Sequence, residues 1–107
     1  MSIRVRVDPA AANELEEAAD WYDRHRTGLG RELVLEVRSA IRSVAQNPRA
    51  GSPVDVVDPT LGVRRVRVRR FPYQVVYSVI DNDAVVIAIA HDRRPPGFWA
   101  VRLRADE

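Results

Sequence analysis

The chain has 107 residues, of which 46% are hydrophobic and 30% are charged, and it contains no cysteine. A length of about 100 residues is enough for one domain with its own core. The composition excludes wholesale disorder, a collagen-like fibre and a disulfide-stapled mini-protein. The lack of cysteine also excludes thiol catalysis and cysteine-based zinc sites.

Acidic and basic residues are nearly equal in number, but the basic residues are all of one type. The net charge is +2, and all 17 basic residues are arginine. Arginine is permanently charged and binds phosphate or carboxylate through two parallel hydrogen bonds; a compositional bias of the genome would give the same usage without a function. No apolar run approaches the roughly 20 residues of a membrane span, and residues 1–7 lack the apolar core of a signal peptide. We therefore expect a cytoplasmic protein with no membrane contact.

The first half of the chain predicts one strand and two helices. Residues 3–7 alternate with the period of a strand, and Asp8-Pro9 is typical of a helix N-cap followed by a first-turn proline. The first helix ends at Thr27–Gly30, and the second runs from Gly30 to Gln46. Apolar residues repeat with helical spacing at Ala11, Leu15, Ala18 and Tyr22, and again at Leu33, Val34, Val37, Ile41, Val44 and Ala45. The short connection predicts an antiparallel helical hairpin.

The second half predicts a loop followed by three strands. Residues 48–62 are rich in proline and glycine and form the loop, with a short extended piece at Val54–Val57. The strands are predicted at Val63–Arg70, Tyr73–Ile80 and Ala84–His91. The element order predicts an α+β fold: an N-terminal strand is followed by an antiparallel helical hairpin, which packs on one face of a three- to four-stranded antiparallel sheet. We expect a single domain over 1–107, with the other sheet face open and functional.

The first of these three strands carries a stripe of arginines. Arg65, Arg67 and Arg69 alternate with valines, so their side chains lie on one face, about 7 Å apart. Three guanidinium groups at this spacing suit phosphates or acidic side chains. A solvated strand face that resists edge aggregation would have the same pattern.

The end of the last strand and the residues after it hold the remaining candidate groups. His91, beside Arg93 and Arg94, has the composition of an acid–base group flanked by charge-stabilising cations, or of a histidine that caps the sheet. Phe98 and Trp99 would stack on bases or close a core, and core packing is favoured for these two and for Trp21-Tyr22. No spacing typical of metal ligands is present, and no cofactor is expected.

Several segments together resemble one protein family. They are Ala11–Ala18 with Trp21-Tyr22, Gly28–Gly30, the run from Val66 to Tyr77, and the ending from Ala88 to Trp99. The patterns R-R-F-P-Y-x-V-V-Y and A-H-x-R-R-x-P-G-[aromatic]-W within them are fairly specific. The chain thereby resembles the RelE/ParE superfamily of bacterial type II toxin–antitoxin toxins, also called plasmid stabilisation proteins, over nearly its whole length. The family fold is the one predicted above.

The resemblance implies one of two activities. RelE-like members cut mRNA in the ribosomal A site, and ParE-like members inhibit DNA gyrase. Carried onto this chain, the sheet-face basic residues of the RNase branch fall near Arg65, Arg67 and Arg69, and its C-terminal arginine falls on Arg94. Its mid-strand arginine falls on Gln74, and its C-terminal tyrosine falls on Phe98. Gln74 cannot carry a charge, and Phe98 has no hydroxyl to donate or accept a proton. Other RNase branches use a histidine near the C-terminus, and His91 could take that role.

Three functions therefore stay open. The favoured one is a ParE-like gyrase inhibitor that acts by binding, without catalysis, through Arg65, Arg67, Arg69, Arg93, Arg94, Phe98 and Trp99. The second is a RelE-like ribosome-dependent endoribonuclease with His91 and Arg94 as catalytic residues. The third is a plain nucleic-acid-binding module, which the nearly neutral net charge disfavours. The resemblance also implies a cognate antitoxin, bound in a hetero-oligomer.

Overall fold

A computed structural model describes residues 2–104 and contains two helices and five strands. In chain order the elements are β1 (Arg4–Val7), α1 (Pro9–His25), α2 (Leu29–Gln46), β2 (Ser52–Pro53), β3 (Val63–Arg67), β4 (Tyr73–Ile80) and β5 (Asp83–His91). Short 3-10 turns lie at Pro59–Leu61 and Phe98–Arg104. The α+β class, the N-terminal strand and the helical hairpin are confirmed.

The helical hairpin is defined by local hydrogen bonds at its two ends. The Asp8 carboxylate accepts a hydrogen bond from the Ala10 N–H at 2.8 Å and caps α1, as the Asp8-Pro9 pattern predicts. At the connection, the Asp23 carboxylate accepts from the Gly30 N–H at 2.8 Å. A side chain at Gly30 would collide with the carbonyl oxygen of Ala19, so glycine allows α1 and α2 to approach closely here.

The sheet has five strands rather than three or four, in the order β1-β5-β4-β3-β2. Neighbouring strands are antiparallel except for β1, which pairs in parallel with β5 and places Val5 opposite Ala84. The alternation in residues 3–7 identifies a strand but contains no information on its partner or direction. The two-residue strand β2 lies in the predicted loop and is too short for a periodic signal.

Strand β3 ends earlier than predicted, at Arg67 and not at Arg70. The Val68 N–H donates to the carbonyl of Tyr73 at 2.9 Å, and the chain then turns through Arg70, whose φ is 72°. Alternation at residues 63–70 therefore continues past the last paired residue. The predicted stripe is shortened to Arg65 and Arg67, because Arg69 lies in the turn, where it borders a groove beside α2.

The sheet separates two hydrophobic clusters. The larger one packs both helices against β1, β4 and β5, and its most buried large residues include Leu33, Val37, Val75 and Tyr77. The smaller one lies on the opposite face, where Trp99 of the C-terminal segment covers Val76, Ala88 and their neighbours. The expectation of an open second face is therefore wrong in part, since Pro95-Pro96 prevents a regular helix and the chain turns back across the sheet.

The C-terminal segment is fixed in place by one ion pair. The two guanidinium nitrogens of Arg102 donate to the two carboxylate oxygens of Glu14 at 2.9 and 3.0 Å, and one of them also donates to the Ile87 carbonyl. Glu14 in turn accepts from the Ile89 N–H at 3.0 Å. These contacts provide hydrogen bonds to the Ile87 carbonyl and the Ile89 N–H of β5, which lie beyond the residues paired with β1. Within residues 2–104, no helix is long and apolar enough to cross a membrane.

Candidate functional site

The cationic surface is centred on the part of β3 that the C-terminal segment leaves uncovered. The strand register places Arg65 opposite Val76 and Arg67 opposite Gln74, so both guanidinium groups lie on the face that Trp99 covers further along. Both residues are exposed. We call the surface of Arg65, Arg67, Gln74, Asp92 and Arg94 the arginine face.

Each arginine of the arginine face contacts another group of the molecule, and the contact of Arg67 is ionic. Arg67 forms an ion pair with Asp92, with its Nη2 2.7 Å from Oδ2. Arg65 Nη1 lies at the long distance of 3.5 Å from Gln74 Oε1. The guanidinium of Arg94 stacks over the ring of Phe98, with 3.7 Å between its central carbon and the ring centroid. The arginines are therefore held in a defined arrangement before any partner binds.

A small cleft runs between the arginine face and the C-terminal segment. Its volume is about 130 Å³, and its lining includes Arg65, Gln74, Asp92, Arg94 and Phe98. Charged groups at its mouth surround an apolar floor. The cleft holds a single side chain or a phosphate group more readily than a drug-sized ligand, since ligand pockets usually start at about 300 Å³.

His91 stands at the rim of this cleft. Its Nδ1 accepts a hydrogen bond from the Arg93 N–H at 3.1 Å, so in the neutral ring the proton sits on Nε2. The ring also packs edge-on against Tyr73, with 5.0 Å between the centroids. Burial raises the pKa of the Tyr73 hydroxyl, and the neighbouring Tyr22 raises it further. Tyr73 thus stays protonated at neutral pH.

The remaining candidates are dispersed. Arg93 is exposed in the turn after β5, and Arg69 lies in the turn after β3. Trp99 is 3% exposed, in agreement with the expected core role, and Phe98 is half-buried beneath Arg94. The core role expected for Trp21 is wrong: it is 49% exposed, because Ala18 and Tyr22 form the buried stripe of α1 and Trp21 lies outside it.

Sequence reasoning missed the acidic partners of the arginines. Asp92 has no distinguishing pattern in the sequence, and its pairing with Arg67 joins residues from two different strand ends. Glu14 is one of five acidic residues of α1. No local pattern identifies either residue, because each partner is distant in sequence. Among residues 2–104 there is no cluster of histidine, aspartate and glutamate that would hold a metal ion.

Solved structures with this fold include the following three. A chain of the chromosomal ParDE toxin–antitoxin system from P. aeruginosa superposes with a TM-score of 0.71 and 18% identity over 84% of this chain and 96% of that chain. An arginine-to-alanine variant of E. coli toxin RelE in the free state gives 0.64 and 19% over 98% and 93%. The YoeB dimer from Staphylococcus aureus gives 0.54 and 16% over 85% and 98%. Identities this low show the fold alone.

The family assignment comes from the sequence. No curated protein matches the chain. The family model described as the ParE toxin of the type II toxin–antitoxin system parDE matches residues 5–96, which is most of the chain. A toxin of this kind has an antitoxin as its partner. The chain belongs to the ParE toxin family, within the RelE/ParE superfamily of type II toxin–antitoxin toxins.

Proposed function

We propose that the chain is a growth inhibitor of the ParE type, which inhibits DNA gyrase by binding and is neutralised by its antitoxin. The observation that carries this proposal is the engaged state of the arginine face. Arg67 is paired with Asp92 and Arg94 is stacked on Phe98. Arginines held in this way lose little conformational freedom when they bind. Arginine is also among the residues that contribute most to binding at protein interfaces.

The same face is poorly equipped for RNA cleavage. Catalysis would need a proton donor and acceptor next to the scissile phosphate and cations free to stabilise its developing charge. Gln74 stands where the resemblance places an RNase arginine, and it carries no charge. Phe98 stands where it places a tyrosine, and it has no hydroxyl. This face therefore lacks one of the charges and the hydroxyl that the resemblance assigns to the RNase branch.

A RelE-like endoribonuclease is the second candidate, because His91 and Arg94 both line the cleft. In that case His91 Nε2 would donate or accept the proton and Arg94 would leave Phe98 to contact phosphate. A nucleic-acid-binding module has no comparable support from the structure. Inhibition by binding predicts graded effects of single substitutions, whereas acid–base catalysis predicts one indispensable residue.

Induction of the toxin in bacterial cells separates the two candidates. A ParE-like inhibitor should trigger a DNA-damage response while protein synthesis continues, and an endoribonuclease should stop translation first. Coexpression with the cognate antitoxin should abolish either effect. Early arrest of translation without a DNA-damage response would contradict the proposal and favour the second candidate.

Point variants are preferable to truncation in these experiments. Removal of the residues after Asp92 would delete Trp99, and with it part of the smaller hydrophobic cluster. Loss of toxicity would then report loss of packing as much as loss of contact surface. His91→Ala and Arg94→Ala change groups at the rim of the cleft and leave that cluster intact.

A further inference from the structure

A second and larger concavity lies on the helix side of the sheet. This groove, which we call the α1 groove, has a volume of about 380 Å³. One wall is α1, which contributes Glu17 and Trp21. The other wall is formed by Tyr73 and the end of β5, including His91 and Arg94. The chain places nothing in it within residues 2–104.

The α1 wall of the groove carries a negative charge that has no partner among the described residues. Glu17 is exposed and has no hydrogen-bond or ion-pair partner among the described residues. On the opposite wall, the Arg94 guanidinium is held over the ring of Phe98, and His91 Nδ1 accepts a hydrogen bond from the Arg93 N–H. The surface of α1 is acidic overall, with Glu14, Glu16, Glu17, Asp20 and Asp23 against a single arginine, Arg24. Next to α1, an incoming cation is therefore favoured over an anion.

Trp21 gives the α1 groove an aromatic surface that is already held in place. His25 packs on the indole with 3.9 Å between ring centroids, and Tyr22 contacts it edge-on at 4.9 Å. Even so, 49% of Trp21 is exposed. Glu17 precedes Trp21 by one helical turn, so the carboxylate and the ring lie on the same side of α1. An aromatic face beside a carboxylate suits a guanidinium group.

The molecule already binds one of its own arginines in this manner. Glu14 lies one turn before Glu17, and its carboxylate accepts hydrogen bonds from both terminal nitrogens of the Arg102 guanidinium. The same guanidinium lies 5.4 Å from the centroid of the Phe98 ring. Glu17 with Trp21 repeats that combination of carboxylate and ring further along the same helix. We propose that the α1 groove binds an arginine-bearing segment of a partner protein, with its guanidinium paired to Glu17 and stacked on Trp21.

This interaction goes beyond the proposed function, because the residues that carry it, Glu17 and Trp21, lie off the arginine face. It is tested with the full chain and the peptide Ala-Ala-Arg-Ala-Ala, acetylated and amidated at its ends. The readout is the indole N–H resonance of Trp21 in a titration followed by NMR. A peptide with citrulline in place of arginine keeps the shape without the charge and should bind about five-fold more weakly.

Two substitutions on the same helix form a matched pair for this test. Glu17→Gln should weaken binding of the arginine peptide about two- to five-fold, whereas Glu16→Gln, which lies off the groove, should leave it unchanged. Equal binding of the citrulline peptide, equal losses in the two variants, or no shift of the Trp21 resonance would each overturn the proposal. Stronger binding of guanosine monophosphate than of the arginine peptide would assign the groove to a nucleotide instead and would also overturn it.

Discussion

The two faces of the sheet differ in what covers them and in what they leave exposed. On the helix side, two long helices bury a large apolar cluster that includes Leu33 and Val75, both with no exposed surface. On the opposite side, a short C-terminal segment covers a smaller cluster and leaves Arg65 and Arg67 at its margin. The larger apolar cluster thus lies on one face, and the arginines proposed for target recognition lie on the other.

Adjacent residues of β4 test this difference with the largest expected effect. Val75 faces the helices and Val76 faces the C-terminal segment, and both are buried. Either Val75→Asp or Val76→Asp places a carboxylate in an apolar environment at a cost of several kcal/mol. Val75→Asp should abolish the cooperative thermal transition, and Val76→Asp should lower its midpoint but leave it visible, because the short segment can move away. A more damaging Val76→Asp would mean that the smaller cluster dominates stability.

The ion pair between Glu14 and Arg102 should have the next largest effect. Glu14→Gln removes the charged acceptor and leaves a largely buried guanidinium with weaker partners, at a cost of about 1–3 kcal/mol. Chemical denaturation measures the free energy of unfolding. Limited proteolysis should also cut the C-terminal segment faster. The exposed Glu16→Gln is the control and should change stability by less than about 0.5 kcal/mol.

Arg67→Ala sharpens the comparison, because it should alter recognition but not folding. The Arg67 and Asp92 side chains are 67% and 31% exposed, and exposed ion pairs contribute about 0–1 kcal/mol. The melting temperature should change by only a few degrees, while inhibition of the target falls several-fold. A strongly destabilised Arg67→Ala protein would show that the arginine face is a structural feature.

The smallest expected effect concerns the pH dependence of stability. Glu32 of α2 accepts a hydrogen bond from Arg70 at 2.9 Å, and this bond lowers the pKa of its carboxyl group. The folded state therefore binds its proton less readily than the unfolded state, so the contribution is present above the ordinary value of about 4.3 and is lost as the pH falls further. In melts at decreasing pH, Glu32→Gln should lose slightly less stability than the unchanged protein. An identical pH profile would remove this role from Glu32.

The sequence predicts the elements of this fold better than their pairing. The helices follow from apolar repeats and from the Asp8 cap, and both signals are local. The parallel pairing of β1 with β5 depends on how the helices cross the sheet, and no single strand contains that information. Strand β3 ends at Arg67 because the chain turns at Arg70, although the alternation of arginine and valine continues past that end.

The sequence predicts which residues form the candidate site but not which side chains they contact. Alternation alone places Arg65 and Arg67 on one face. Their engagement with Gln74 and Asp92 depends on the sheet register and on the turn after β5. Trp21 shows the opposite case: its size and its place beside Tyr22 predict a core residue, but 49% of it is exposed.

The most direct test of the account uses purified toxin in two assays, DNA supercoiling by gyrase and cleavage of mRNA on programmed ribosomes. The account predicts inhibition of supercoiling without mRNA cleavage, a several-fold loss of inhibition in Arg67→Ala and at most a partial loss in His91→Ala. Cleavage of mRNA that falls about a hundredfold in His91→Ala, with supercoiling unaffected by the toxin, would contradict it and identify a ribonuclease.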